Sequence, residues 1–310
     1  MILGKIFAKY LKDNFGVESL KLTTLRKFFR TGYLQSIAIN SIIYDYGIVE
    51  REDYGRVVAN ENEIKVLKGN GTEKTNYVVL KNGKIRVPNE IIPSEPQFII
   101  DLGLSNVLTD EEKTSLREQL QLTVKAIREY LCDYNLKFAH VYYSLKLEGK
   151  NKVETIDHIP KERAIVLNPY GDVVANEEII RGSRFFIIGG IVDKGRRLTN
   201  ATSELARRYD YLDLPQVKIT LRDSVVGVPD RINKIVEILL KVINGLRLEE
   251  AIISSQSNAD KVNRLVRELN RLEKIDQESI SNLKNWLKVN DKLFNLALKK
   301  SKFKDQSNSS

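Results

Sequence analysis

Apolar residues recur along this chain with two different periods, and the switch between them marks the predicted elements. Leu116, Leu120, Val124, Ile127 and Leu131 fall on one helical stripe, opened by Thr109 with Glu112 three residues later, the spacing of a capping box. Ile232, Ile235, Val236, Leu239, Leu240 and Ile243 predict a helix over 229–243, with Pro229 in its first turn, where a missing N–H costs nothing. Another is expected over 199–209. Between the helices, apolar runs over 98–102, 139–143, 164–167, 185–192 and 216–220 read as buried strands. Their alternation with helices predicts an α/β fold, a mainly parallel sheet with helices on both faces.

The flanks read differently. After a helical start, residues 33–93 carry short β-rich runs at 77–80 and 85–87, separated by Lys81-Asn82-Gly83-Lys84, whose Asn-Gly step predicts a hairpin. A small α+β module is expected over 1–95, closing at the break around Pro93 and Pro96. Beyond Gly245 the pattern is helical only, with Val262, Leu265, Val266, Leu269 and Leu272 on one stripe and Ile280, Leu283, Leu287 and Phe294 on another. The chain therefore divides into 1–95, a central 96–245 and a helical 246–310 with a disordered polar tail.

Composition narrows the classes. With 42% hydrophobic and 29% charged residues, the chain has enough apolar content for a core. No apolar run approaches membrane-spanning length, and 1–15 lacks the features of a signal peptide, so a cytoplasmic protein is expected. Cys132 alone cannot form an internal disulfide, and with only His140 and His158 beside it cannot complete a zinc site. Net charges of +4, +1 and +4 on the three parts place basic arms around a nearly neutral centre, which points to a polyanionic partner. In the first arm Lys5, Lys9, Lys12, Lys21, Arg26, Lys27 and Arg30 interleave with Phe7, Tyr10, Phe15, Phe28 and Phe29. These aromatics could stack on RNA bases or line a core.

Candidate chemistry lies in the loops after the strands, where open α/β sheets bind ligands. The loop at Gly189-Gly190 is neither a dinucleotide fingerprint nor a phosphate-binding loop, but it permits close approach of a flat ligand. Asp193 follows the same run and could accept a proton or simply cap a turn. Asp101, inside an apolar run, must face a pocket, pair with a cation or bind backbone N–H groups. Arg181, Arg184, Lys194, Arg196 and Arg197 surround the Gly189 loop in sequence and could hold phosphates or form a solvated face.

Taken together, Phe98-Ile99-Ile100-Asp101-Leu102, Phe185-Phe186-Ile187-Ile188-Gly189-Gly190-Ile191-Val192-Asp193, and the helix after Val225-Val226-Gly227-Val228 resemble the tRNA methyltransferases that modify N1 of the purine at position 9. These form a branch of the SPOUT superfamily. The resemblance covers about 96–245, and the helical extension looks like archaeal members. It implies a C-terminal trefoil knot, which periodicity does not reveal. It also implies S-adenosylmethionine as cofactor, with Gly189, Gly190, Ile191 and Val192 in one binding loop. Leu167 and Asn168 would form another wall, and Ile219, Thr220, Val226, Gly227 and Val228 the remaining loops. Asp193 would be the proton acceptor and Asp101 an assisting acid. The target base must be extruded from the tRNA core, a cost of a few kcal/mol, which the basic arms are suited to offset. The expected protein is a monomeric tRNA N1-methyltransferase preferring adenosine and needing no metal. The alternatives are a non-catalytic RNA-binding or assembly protein with this fold, and a SPOUT enzyme acting on ribosomal RNA.

Overall fold

The N-terminal helix buries one side of itself: Leu3, Phe7 and Leu11 are inaccessible while Lys5 and Lys9 stay exposed. In the computed structural model, which describes residues 2–142, 147–192 and 200–303, this helix is α1 (Leu3–Phe15). Gly16 ends it at φ 62°, returning its N–H to the carbonyls of Leu11 and Lys12. There follow β1 (Ser19–Leu22), α2 (Tyr33–Tyr44), β2 (Tyr46–Glu61) and β3 (Ile64–Lys81). Strand β3 lies between the other two, antiparallel to β2 and parallel to β1.

The long hairpin is β2–β3, and it turns at Asn62-Glu63, where both residues have positive φ (50° and 65°), rather than at the expected Asn82-Gly83. Asn82 does turn the chain at φ 61°, but the segment after it makes only an isolated bridge from Ile85 to Ile48. Of the β-rich runs expected within 33–93, 77–80 lies in β3, while the region opens with α2, a helix the sequence pattern did not predict. It is buried almost all round, so it has no polar face to betray a helical period. The Glu61 carboxylate caps it, accepting the N–H groups of Tyr33 (2.8 Å) and Leu34 (2.9 Å).

Next come β4 (Gln97–Asp101), α3 (Asp110–Arg128), β5 (Leu136–Ala139) and β6 (Glu154–Ile156). The Thr109–Glu112 capping box forms, and Leu116, Leu120, Val124 and Ile127 are buried as the stripe predicts. The end of α3 anchors the N-terminal elements. Leu3 N–H donates to Tyr130 O (2.7 Å), and the Gln35 amide donates to Arg128 O (2.8 Å) and Leu131 O (3.0 Å). Cys132 is buried in the same apolar cluster as Leu3, Phe7 and Ile39. Arg128 and Asp133 form a buried two-point ion pair at 2.6 and 2.7 Å.

The chain continues through β7 (Ala164–Leu167), β8 (Val173–Val174), α4 (Glu177–Gly182), β9 (Phe185–Gly189), α5 (Ala201–Arg208) and β10 (Gln216–Lys218). It ends in α6 (Ile232–Ile243), α7 (Leu248–Ser255), α8 (Asn258–Arg271), α9 (Gln277–Leu287) and α10 (Asp291–Leu298). Its described residues group into two compact units, one within Met1–Glu162 and Arg184–Arg197, the other within Arg163–Ser183 and Leu198–Ser310. In the first, β6, β5, β4 and β9 lie side by side, all parallel. In the second, β10 runs parallel to β7 on one side and β8 on the other. The architecture is thus mixed α/β with parallel sheet, as expected.

Element bounds differ from the expected ones, three of them with consequences for the site or the helix starts. The strand expected over 139–143 is Leu136–Ala139, and the run from Phe185 ends as a strand at Gly189. Helix α6 begins at Ile232, because Arg231 before it is still extended (φ −70°, ψ 137°). Pro229 is therefore buried ahead of the helix and not in its first turn.

Candidate functional site

Parallel pairing brings strand ends level, and this places the first group of predicted residues. Asp101, the last residue of β4, is in register with Ala139 of β5 and Gly189 of β9. Its side chain is fully buried. Its Oδ1 accepts the Gly103 N–H (2.9 Å) and meets His140 Nδ1 at 2.9 Å. Of the three fates open to a buried carboxylate, Asp101 takes a backbone N–H together with a ring nitrogen. Gly190 N–H donates to the Asp101 carbonyl (2.7 Å), which ties the Gly189–Val192 loop to the end of β4.

Gly190 is demanded by that approach. A Cβ there would stand 2.5 Å from Leu102 Cδ2 and 2.9 Å from the Asp101 carbonyl oxygen. Gly190→Ala is expected to destabilise the fold by about 1–3 kcal/mol. Thermal denaturation checks this, and an unchanged midpoint would mean that the loop yields freely.

The second unit positions the other loops. Asn168, at the end of β7, is buried. Its N–H donates to Val217 O (2.9 Å), its amide to Ser203 Oγ (3.0 Å) and Gln216 Oε1 (3.1 Å), and its Oδ1 accepts Tyr170 N–H (3.0 Å). Leu167 pairs with Val217, just ahead of Ile219 and Thr220 at the carboxyl end of β10. The chain then makes a tight turn with Leu221 and Ser224 bridged and Arg222 and Asp223 at positive φ (44° and 61°). Ser224 Oγ accepts Val226 N–H (3.1 Å), opening the Val226-Gly227-Val228 segment.

That segment is clamped by α8 and the residues before it. Gln256 Nε2 donates to Gly227 O (2.8 Å) and Arg264 Nη1 to Val226 O (3.2 Å). Gly227 has φ +80°, and a Cβ on it would lie 2.6 Å from Arg264 Cβ. Sequence reasoning found the glycine but not its partner, because Arg264 sits among the apolar residues of the α8 stripe and its burial leaves no pattern of its own.

The basic residues divide. Lys12 pairs with Glu63, and Lys21 with Asp53 (2.8 Å). The Lys21 ammonium and the Tyr54 N–H hold the Asp53 carboxyl down at about 2. Arg26 lies over the Tyr44 ring (5.0 Å), while Arg30 donates its backbone N–H to Glu129 (2.7 Å) and is itself exposed. Arg181 donates to the carbonyls of Val242 (3.0 Å) and Leu246 (3.2 Å), while Arg184 pairs with Glu95 and Glu162. Lys5, Lys9 and Lys27 are exposed. Asp193, Lys194, Arg196 and Arg197 lie outside the described residues.

His140 is a second residue whose role sequence reasoning missed. Reading the strand three residues late put it inside a strand, whereas β5 ends at Ala139 and leaves His140 at φ 51° beside Asp101.

The chain is similar to known proteins. A family model for the N-terminal domain of tRNA (adenine(9)-N1)-methyltransferase matches residues 1–80. Over 299 residues the chain is 39% identical to the tRNA (adenine(9)-N1)-methyltransferase of Sulfolobus acidocaldarius, covering 96% of this chain and 97% of that protein. It is 28% identical over 323 residues to the tRNA (guanine(9)-/adenine(9)-N1)-methyltransferase of Thermococcus kodakarensis, covering 93% and 85%. Its structure is similar to that of Sulfolobus acidocaldarius Trm10 in complex with S-adenosylhomocysteine, with TM-score 0.82, 34% identity, and coverage of 97% of this chain and 99% of that one.

Proposed function

The chain belongs to the tRNA (adenine(9)-N1)-methyltransferase family, and from that premise we infer its activity: it transfers a methyl group from S-adenosylmethionine to N1 of the purine at position 9 of tRNA, with adenosine preferred. The observation that carries this reading is similarity over almost the whole chain to an adenine-9 enzyme.

The loops fit the cofactor chemically. In the second unit Leu167, Ile219, Val226 and Val228 offer apolar side chains for an adenosine moiety, Asn168 fixes the turn after β7, and Thr220 and Gly227 offer main chain; in the first unit Gly189, Gly190, Ile191 and Val192 offer main chain that a ligand can approach. None of these residues carries a positive charge that would oppose a sulfonium. When bound, the cofactor supplies the methyl group that the base nitrogen attacks. The attack needs no Lewis acid, so no metal is assigned. Asp193 accepts the proton that the base sheds. Asp101 acts as a positioning residue: its carboxylate holds Gly103 N–H and the His140 ring after β5, and its carbonyl holds Gly190 N–H after β9. Rate comes mainly from alignment of N1 with the methyl carbon.

The finer architecture follows the family: loops after β9 and β10 would tie the trefoil knot, residues 1–95 and 246–310 would serve 96–245 as flanking domains, and exposed Lys5, Lys9 and Lys27 would meet RNA phosphates. No helix among the described residues is long and apolar enough to cross a membrane. We assign a cytoplasmic monomer.

The test is methyl transfer from labelled S-adenosylmethionine to two tRNA transcripts differing only in A or G at position 9, with the product nucleoside mapped. Label at N1, favouring adenosine, is expected. No label from folded, tRNA-bound protein would leave an RNA-binding protein, and label in ribosomal RNA alone would move the substrate.

A further inference from the structure

A cavity of about 570 Å³ opens in the second unit between the turn at Arg222-Asp223 and helices α8 and α9. Arg222, Arg267 and Arg271 line it, with Asp223 and Glu268 as the acids. Arg264, Arg267 and Arg271 stand three and four residues apart on α8, a spacing that puts them on one face. Such a run of like charge works against the helix unless something opposes it. Arg222 is already engaged: it lies 3.8 Å from the Trp286 ring centroid and 3.2 Å from Glu249. Arg264, fully buried, holds Val226 O and lies 2.8 Å from Glu268.

Arg267 and Arg271 have no ion-pair partner among the described residues, and among the buried side-chain atoms without a hydrogen-bond partner there are three guanidinium nitrogens, Arg264 Nε and Nη2 and Arg267 Nε, against one carboxylate oxygen, Glu268 Oε1. Buried donors of this kind call for an acceptor. Burial pushes the Arg264 guanidinium below its usual range; Glu268 opposes this, and Arg267, Arg222 and Arg271 push it further down. The lining itself carries three guanidinium groups against two carboxylates. Guanidinium forks match phosphate oxygens two at a time, and the volume exceeds what one phosphate fills.

We propose that this cavity binds backbone phosphate of the tRNA substrate, so that α8 contacts RNA as well as bracing the Val226–Val228 segment. The proposal rests on the functional reading above.

The test is tRNA affinity at several salt concentrations for the wild type and for R267Q/R271Q. This pair orphans no carboxylate, and S-adenosylhomocysteine affinity reports an intact fold. The double variant is expected to bind tRNA roughly tenfold more weakly at low salt, with the slope of log affinity against log salt reduced by about 0.7–0.9 per phosphate lost. R267K/R271K keeps the charge and is expected to recover most of the slope. Wild-type binding matched by R267Q/R271Q would overturn the inference alone. Wild-type protein that bound no tRNA would overturn the functional reading and this inference with it. If inorganic phosphate raised the melting temperature of the wild type but not of R267Q/R271Q while tRNA affinity stayed equal, the site would take free anions and not RNA.

Discussion

Asp193→Asn is expected to lower the rate of methyl transfer by about 10²–10⁴-fold, the range of a lost general base, while S-adenosylhomocysteine affinity stays within about twofold. Asparagine keeps the size and hydrogen-bonding reach of the side chain but cannot take up a proton. Adenine N1 has a free lone pair, so it can attack first and shed a proton from its amino group afterwards. Guanine N1 carries a hydrogen that must leave before or during attack. The loss should therefore be greater on a G9 transcript than on an A9 transcript. Single-turnover rates on both, with calorimetry for the cofactor, check the prediction. Equal losses of rate and affinity would make Asp193 a structural residue.

Arg128→Met is expected to cost about 3–5 kcal/mol, the cost of breaking a buried ion pair from one side. Asp133 would remain fully buried, with the Lys152 N–H (2.7 Å) as its remaining described donor. Burial alone would push the Arg128 guanidinium down, yet its hydrogen bond and charge contact with Asp133 leave it raised above the usual value. In a unit of this size that loss lowers the melting temperature by roughly 10 °C. Substituting both partners, as R128M/D133L, removes the orphaned charge and should recover most of the stability. A single variant that melted like the wild type would show the pair to be dispensable.

Where one face of an element is wet, its sequence was legible. The α3 stripe and its capping box stand as the period predicts, and Val262, Leu265 and Leu269 are buried on α8, but Ile280, Leu283 and Leu287 fall on α9 and Phe294 on α10, so the second stripe is broken between two helices. The β4 run and the Gly189-Gly190 step were legible because apolar strands end where glycine or charge begins. Helix α2 was not, since burial on every side erased its period, and neither was most of the β2–β3 ribbon, exposed over 50–52 and 69–74 with no alternation to read. The site shows the same division. Asp101 stood out as a charge in an apolar run, but what satisfies it depends on register: His140 becomes its partner only because β5 stops at Ala139. Arg264 was hidden for the opposite reason, a charge buried at a position the helical period gives to the core.

The seam between the N-terminal elements and the end of α3 contains Cys132, the only cysteine of the chain. Burial pushes its thiol up to about 12, which keeps it protonated at neutral pH. Alkylating reagents can reach this sulfur only when the seam parts. The protein thereby carries a native kinetic reporter: the rate of thiol labelling in unmodified enzyme measures how often the N-terminal elements lift from α3, and a bound RNA that spanned the seam would slow it.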